Sequence, residues 1–212
     1  KRLSLQLKAS GMNAKPISLD NYFVGRDKTP VDENGEVDFE HIEALDLDLV
    51  HEQLAKLDSG ERLELPYFNF HTGQRESKGE MMHIGPDDVV VLEGIHGLNP
   101  RLTSSIPVEH KFRIYISALT QLNIDSNNRI STTDNRLIRR MVRDNNFRSH
   151  NALRTLQMWP KVRRGEKTWI FPFQKEADVA FNSALDYELA VLRPFAEPLL
   201  ADIKPSMPEY AE

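Results

Sequence analysis

The sequence predicts an α/β fold, in which a parallel β-sheet is flanked by helices. The clearest sign is the run from Asp88 to Leu92, whose β-branched residues are typical of a central strand buried on both faces. A second sign is the alternation of short apolar runs with segments of helical periodicity. The 212 residues, of which 40% are hydrophobic, suit one core, so we predict a single domain over residues 1–212.

The N-terminal part predicts two helices and one strand. Residues 1–10 indicate the end of a helix, because Leu3 and Leu7 lie one turn apart and a glycine follows. A short buried strand is predicted at 14–19, and a loop rich in Pro, Asp, Asn and Gly at 29–36. The next helix is indicated by apolar residues at helical spacing, which are Leu47, Val50, Leu54 and Leu57.

The middle of the chain predicts a β-hairpin over about residues 61–85. Two runs, 63–70 and 76–84, flank the turn His71-Thr72-Gly73-Gln74. Beyond the strand that begins at Asp88, strands and helices alternate again. The predicted strands are 112–116, 178–180 and 187–192, and the predicted helices are 134–144 and 151–158, separated by a polar break at Asn145-Asn146.

Two acidic residues stand directly after predicted strands. Asp20 follows the first strand and Glu93 follows the run that begins at Asp88. Ligands of open α/β sheets bind at the carboxyl ends of the strands, where a carboxylate can take a proton from a substrate hydroxyl or hold a metal ion. Asp20 equally fits a residue that caps a turn. For Glu93, the neighbouring Gly94 and Gly97 favour an open turn with room for phosphate and metal.

The segment from Arg129 to Lys167 is strongly basic, with eleven Lys or Arg against three acids. Four arginines share one predicted helix face, at positions Arg136, Arg139, Arg140 and Arg143. Guanidinium groups bind polyphosphate, and close like charges repel unless an anion is present, so the cluster favours a lid over bound ATP. A plain solvated face, or a nucleic-acid patch that uses Trp159, Trp169 and Phe147, are the alternatives.

Composition excludes several classes of function. The formal net charge of −5 argues against a large nucleic-acid footprint. The absence of cysteine rules out disulfides and thiolate chemistry. The seven histidines lack metal-site spacing, and the Gly-x-Ser-x-Gly motif of serine hydrolases is missing. No apolar run is long enough for a membrane span. We therefore expect a cytoplasmic protein without a membrane partner.

Five motifs resemble, in order, those of the uridine kinase and phosphoribulokinase family across nearly the whole chain. They are Ile17-Ser18-Leu19-Asp20-Asn21-Tyr22-Phe23, Phe39-Glu40-His41-Ile42-Glu43-Ala44-Leu45-Asp46, Leu65-Pro66-Tyr67-Phe68-Asn69-Phe70 through Arg75, Val90-Val91-Leu92-Glu93-Gly94-Ile95, and the helix from Asp134 to Asp144. The resemblance implies a P-loop NTPase-like sheet with a hairpin insertion and a helical lid over about 134–167.

The resemblance also implies a kinase that uses ATP and Mg²⁺ to phosphorylate a hydroxyl of a small nucleoside-like or sugar-like acceptor. Asp20 would be the general base and a metal contact, and Glu93 would hold the metal. The implied substrate-binding residues are Phe23, Glu40, Phe68, Arg75, Arg143 and Arg148, with Glu40 on the sugar hydroxyls. The implied ATP-lid residues are Arg136, Arg139, Arg140, Arg143 and Arg148. Association of identical copies stays open.

Three departures from the family pattern bear on function. Where uridine kinases place a Tyr and a His in the hairpin, this chain has Phe68 and Gly73, so uridine itself is not indicated. The lid's Arg-Gly-Arg is replaced by Arg148-Ser149-His150. The Gly-x-x-x-x-Gly-Lys-[Ser/Thr] loop is missing, and we expect it upstream of Lys1. Two alternative functions remain at this point: a non-catalytic nucleotide-responsive module and an RNA-associated protein.

Overall fold

A computed structural model describes residues 2–120, 123 and 125–211 of the chain. The helices are α1 (Arg2–Ala9), α2 (Leu47–Asp58), α3 (Thr132–Phe147), α4 (Ala152–Gly165) and α5 (Glu188–Ala201), and the strands are β1 (Asn13–Ser18), β2 (Leu63–Asn69), β3 (Gln74–Met82), β4 (Asp88–Glu93), β5 (Ile114–Ser117) and β6 (Val179–Asn182). No helix in the described part of the chain is long and apolar enough to cross a membrane.

The chain divides into two compact units. The first unit contains the residues through Arg113 and the segment Gly165–Glu176, and the second contains Ile114–Arg164 and the residues from Ala177 onward. The single domain over residues 1–212 remains a prediction. Of the predicted lid at 134–167, the residues from Gly165 to Lys167 belong to the first unit.

A parallel pair of strands forms the centre of the first unit. β1 and β4 pair in register from Asn13 opposite Asp88 to Ser18 opposite Glu93. Beneath them, the core is built from apolar side chains of β1, the turn after it, α2 and the hairpin, including Ile17, Leu19, Val50, Leu57, Leu63 and Leu65. Burial of this apolar surface is the main stabilising contribution to such a core. The predicted strand at 14–19 is therefore confirmed.

The expectation that the strand beginning at Asp88 is buried on both faces is wrong. Its residues are half-buried or exposed, and the Val89 side chain is 38% exposed. The described residues give β4 a single partner strand, β1. A strand becomes buried on both faces only when layers cover the two sides of the sheet, so its composition alone did not fix its burial.

Helix α2 and the hairpin follow the sequence pattern closely. The Asp46 side chain accepts the amide hydrogen of Leu49 at 3.1 Å and so caps the start of α2. Strands β2 and β3 pair antiparallel, with Phe68 opposite Arg75 and a register shift between Glu64 and Pro66. Both elements, predicted from apolar spacing and turn residues, are confirmed.

The second unit combines a parallel pair, β5 and β6, with three helices. Met141 of α3, Ala152 and Leu156 of α4, and Ile203 form its buried core, and Leu199 of α5 packs against it. The predicted break at Asn145-Asn146 is wrong, because α3 continues to Phe147. Helix α4 extends beyond the predicted 151–158 to Gly165.

The predicted strand at 187–192 is also wrong, because this segment begins helix α5. Leu189, Leu192, Ala196 and Leu199 recur at helical spacing and are among the less exposed side chains of the helix. Pro194 and Pro198 lie inside α5, where each removes a backbone donor. The two prolines hid a helical periodicity that the sequence does contain.

Candidate active site

The ends of β1 and β4 bring the two predicted strand-end acids to neighbouring strand tips. Ser18 and Glu93 are the last paired residues of the two strands, and the Ser18 hydroxyl donates a hydrogen bond to the Glu93 carboxylate. Asp20 lies two residues beyond Ser18, in the 3₁₀ turn Leu19–Tyr22. The predicted position of Asp20 and Glu93 at the carboxyl edge of a parallel pair is therefore observed.

Gly94 lets the two strand tips approach closely. A Cβ atom at this position would lie 2.6 Å from the Cβ of Leu19. The sequence suggested instead that Gly94 leaves an open turn, so the reason for this glycine is corrected. It permits close packing against the turn that carries Asp20.

A cavity of about 460 Å³ adjoins the strand tips within the first unit. Ser18 and Glu93 line it from the strand ends, Lys8 from α1 and Glu80 from the hairpin. Asp20 is not among its lining residues. That both carboxylates face one crevice consequently stays a prediction.

Three aromatic side chains connect the Asp20 turn to the hairpin. The ring of Phe23 lies 5.6 Å from that of Phe68 and 6.1 Å from that of Phe70, and the last two are 5.1 Å apart. The Asn21 side chain accepts the amide hydrogen of Phe68 at 3.3 Å. Phe68, predicted to bind substrate, is only 4% exposed, whereas Phe70 is 44% exposed. Phe70, which the sequence argument did not select, presents the open face of this cluster.

Two other residues of the first unit that are predicted to bind the acceptor contact neighbouring protein residues. Arg75 donates to the Asp46 carboxylate at 2.9 Å, joining β3 to the start of α2. Glu40 donates its amide hydrogen to Asp38 at 3.0 Å, and its side chain lies so close to Gly165 that a Cβ there would be 2.3 Å away. Both residues are held in place, and their substrate-binding roles remain predictions.

A buried histidine lies just beyond the β4 tip. His96 is 2% exposed, and neither ring nitrogen makes a hydrogen bond of good geometry among the described residues, although the backbone of Glu40 interacts with the ring. Burial, with the nearby charge of His41 as a second cause, lowers the pKa of His96 to about 4. The His41 ring in turn packs edge-on against Trp169 at 4.2 Å. His96 is therefore neutral near pH 7, which sequence spacing could not reveal.

The predicted arginine face lies on α3 in the second unit and surrounds an acid. Asp144 is 1% exposed, and the side chains of Arg140, Arg143 and Arg148 contact its carboxylate at 3.2, 2.8 and 3.7 Å. Arg139 pairs with Glu188 at 3.3 Å. The argument that close arginines need a bound anion is corrected, because Asp144 supplies a counter-charge. The sequence contains a sign of this ion pair, because Asp144 follows Arg140 by four residues and the two side chains therefore lie on one face of the helix.

Clusters of metal-ligating side chains are absent from the described part of the chain. No group of three or more His, Asp or Glu side chains there could enclose a metal ion. Magnesium commonly takes only one or two protein carboxylates and completes its shell with water and phosphate oxygens. The carboxylates of Asp20 and Glu93 are donors of this type, and the Glu93 carboxylate is held by a neutral hydroxyl. The residues present thus fit the magnesium ion that the family resemblance implies.

Comparison with known sequences bears on the family of the chain. The profile described as "Phosphoribulokinase / Uridine kinase family" matches residues 25–190. The chain is 26% identical over 170 residues to a uridine kinase of Halobacterium salinarum, covering 80% of this chain and 68% of the relative. It is 28% identical over 164 residues to a uridine kinase of Serratia proteamaculans, covering 77% and 68%.

Solved structures show the same fold. "Structure of a Possible Uridine Kinase from Bacillus stearothermophilus" matches with a TM-score of 0.51 at 17% identity, over 85% of this chain and 78% of that one. A kinase structure from Silicibacter sp. TM1040 matches with a TM-score of 0.54 at 17% identity, over 85% and 80%. Since the profile covers most of the sequence, the chain belongs to the phosphoribulokinase and uridine kinase family of ATP-dependent kinases.

Proposed function

We propose that the chain transfers the terminal phosphoryl group of ATP to a hydroxyl of a small nucleoside-like or sugar-like acceptor. The observation that supports this most directly is the register of β1 and β4, which sets Asp20 and Glu93 at neighbouring strand tips. Strand tips of parallel sheets are the usual ligand edge of α/β enzymes. The uridine kinase relatives support a nucleoside-like or sugar-like acceptor.

Asp20 is the proposed general base. Its carboxylate accepts the proton of the acceptor hydroxyl while that oxygen forms a bond to the terminal phosphorus of ATP. The bond between this phosphorus and the bridging oxygen breaks, and ADP leaves with the bonding electrons. General base catalysis of this kind contributes about 10²- to 10⁴-fold to a rate.

Glu93, together with Asp20, would hold Mg²⁺. When bound, the ion offsets negative charge on the phosphates. The Ser18 hydroxyl orients the Glu93 carboxylate without neutralising it, which keeps the full charge available for a cation. Ser18 is therefore a proposed positioning residue that the sequence argument did not identify.

The arginines of α3 are the proposed phosphate-binding groups. Arg140, Arg143 and Arg148 contact the Asp144 carboxylate, and Arg139 pairs with Glu188. Asp144 thereby fixes the direction of three arginines of the proposed group, to which Arg136 also belongs. Because the 212 residues contain no Gly-x-x-x-x-Gly-Lys-[Ser/Thr] loop, no backbone cradle for the phosphates is assigned.

Asp20→Asn tests the proposed role in the full-length protein. We expect turnover, measured as ADP release, to fall by about 10²- to 10⁴-fold, with the affinity for ATP largely unchanged. Asp87→Asn is the matched control, because Asp87 is an exposed acid of the same unit in the loop before β4. Equal turnover in the two variants would remove Asp20 from the base role.

A further inference from the structure

The turn that carries Asp20 is a single 3₁₀ turn, Leu19–Tyr22, and the residue before it does not cap it with a side-chain hydrogen bond. That residue is Ser18, whose hydroxyl donates instead to the Glu93 carboxylate. Hydrogen bonds within a 3₁₀ turn have poorer geometry than those of an α-helix. The contacts that fix the turn must therefore come in part from neighbouring elements.

Tyr22, the last residue of the turn, reaches helix α2 through its side chain. It is 2% exposed, and its hydroxyl donates a hydrogen bond to Oε1 of Gln53 at 2.7 Å. Nε2 of Gln53 donates in turn to the carbonyl oxygen of Glu64 on β2 at 3.0 Å. One side chain of α2 thus joins the Asp20 turn to the hairpin.

Glutamine suits both of these hydrogen bonds, because its amide has an acceptor at one end and donors at the other. Burial raises the pKa of Tyr22 to about 12, so its hydroxyl stays a donor near pH 7. The Glu64 carbonyl can only accept. A carboxylate at position 53 would lack the donor for this carbonyl, and an alkyl side chain would lack both partners.

The main chain of Tyr22 is attached to the same helix. The backbone N–H of Asp46, which begins α2, donates to the Tyr22 carbonyl oxygen at 2.9 Å. Gln53 follows Asp46 by about two helical turns, so α2 holds Tyr22 at two separate points. Asn21 adds the bond of 3.3 Å to the amide of Phe68. Of these attachments, the one through Gln53 joins two side chains and can be removed without altering the backbone.

The end of the turn also borders the cavity at the strand tips. Asn21 and Tyr22 line this cavity together with Ser18 and Glu93, whereas Gln53 does not. A change at Gln53 therefore reaches the cavity only through the residues that it holds in place.

We propose that Gln53 is a positioning residue that fixes the Asp20 turn against α2 and the hairpin, and through this turn raises the rate of phosphoryl transfer. The inference rests on the proposed role of Asp20 as general base. A base must lie within hydrogen-bond reach of the hydroxyl that it deprotonates, and a displacement of about 1 Å can cost about 10²-fold in rate. Gln53 itself touches no reacting atom.

ADP release by the full-length protein, at saturating ATP and Mg²⁺, tests the effect on the rate. The acceptors are uridine, cytidine, D-ribose and D-ribose 5-phosphate. With each acceptor that the unmodified protein phosphorylates, Gln53→Ala should lower kcat by about 10- to 100-fold and leave the KM for ATP nearly unchanged. Glu52→Gln, at the exposed neighbour that pairs with Lys56, should leave both constants unchanged. An unchanged kcat in Gln53→Ala would overturn the proposal.

Combined variants separate positioning from a general loss of stability. If Gln53 acts through the Tyr22 hydroxyl, Tyr22→Phe should lower kcat similarly, and the double variant should be no slower than the slower single variant. If it acts through Asp20, Gln53→Ala should have no further effect on kcat in Asp20→Asn, although it lowers the melting temperature in both backgrounds. An equal factor in kcat with and without Asp20 would overturn the proposal. Where Gln53→Ala does not fold, Tyr22→Phe keeps the buried ring and takes its place in this comparison.

Amide hydrogen exchange, followed by mass spectrometry, tests the link without turnover. Peptides that cover residues 19–23 should exchange faster in Gln53→Ala than in Glu52→Gln, since the turn loses an attachment. Unchanged exchange there would overturn the proposal even if kcat falls. Faster exchange, in a protein whose unmodified form releases no ADP with any acceptor, would support the link and contradict the proposed kinase function.

Discussion

The carboxylates of the two units are held in opposite ways. Glu93, at the tip of β4 in the first unit, accepts a hydrogen bond from the Ser18 hydroxyl, and no cation pairs with it in the described part of the chain. Asp144, on α3 in the second unit, is buried and surrounded by three guanidinium groups, those of Arg140, Arg143 and Arg148.

This difference separates an acid that can serve a ligand from an acid that organises the fold. A carboxylate oriented by a neutral hydroxyl keeps its charge for a metal ion. A buried carboxylate among arginines uses its charge to hold them together, and the arginines then persist without a bound phosphate. In this chain the arginine pattern therefore has a structural explanation that does not require a ligand.

Asp144→Asn should give the largest effect on stability. It removes the charge of a buried carboxylate that three guanidinium groups contact, which we expect to lower the free energy of unfolding by about 3 kcal/mol. Urea unfolding followed by circular dichroism measures the change. Glu197→Gln breaks the exposed pair with Arg193 and should cost less than about 1 kcal/mol. Similar losses in both variants would contradict the organising role of Asp144.

His96 extends the comparison to a buried group that can carry a charge but has no ion-pair partner among the described residues. The folded state keeps His96 neutral down to pH about 4, whereas an unfolded chain protonates it near the ordinary pKa of about 6.5. The unfolded state therefore binds the extra proton between these values, and stability is full above pH about 6.5 and is lost as the pH falls towards 4.

The expected loss attributable to His96 is at most about 3 kcal/mol between pH 7 and pH 4. It is measured as the difference in unfolding free energy between the unmodified protein and His96→Gln at the two pH values. His110→Gln, at an exposed histidine, is the control and should keep the full pH dependence. A pH dependence unchanged in His96→Gln would show that His96 is not the group that titrates.

Ser18→Ala probes the first unit directly. Without the hydroxyl that orients Glu93, the Mg²⁺ concentration needed for half-maximal ADP release should rise by about tenfold or more. Turnover at saturating Mg²⁺ should change much less, since neither Asp20 nor Glu93 is removed. Ser59→Ala, at the exposed end of α2, should leave the Mg²⁺ requirement unchanged. An unaltered requirement in Ser18→Ala would argue against Glu93 as a metal ligand.

Ser149→Gly should give the smallest effect, a stabilisation of about 1 kcal/mol. Ser149 has φ +55°, just beyond the end of α3, and glycine adopts this left-handed conformation without steric cost. The same exchange at Ser104, which has φ −62°, should destabilise instead by about 0.5–1 kcal/mol. Thermal unfolding of the two variants gives opposite signs if backbone conformation is the cause.

Local patterns predicted most of the elements but little of their burial. The α2 helix and the hairpin follow from apolar spacing and turn residues, which act within a few positions of one another. The prediction of a strand at 187–192 was wrong because Pro194 and Pro198 obscured the helical spacing of α5. The prediction that β4 is buried on both faces was wrong because burial depends on what covers each side of the sheet.

The sequence by itself determined the α/β class, the strand-end acids Asp20 and Glu93, and the family, since these depend on periodicity and on motifs with fixed spacing. Only the tertiary structure decided which charges are already compensated. Asp144 meets its arginines inside the second unit, and Arg75 meets Asp46. Whether a charged side chain is free to bind a ligand depends on partners that are distant in the chain, and folding alone brings them together.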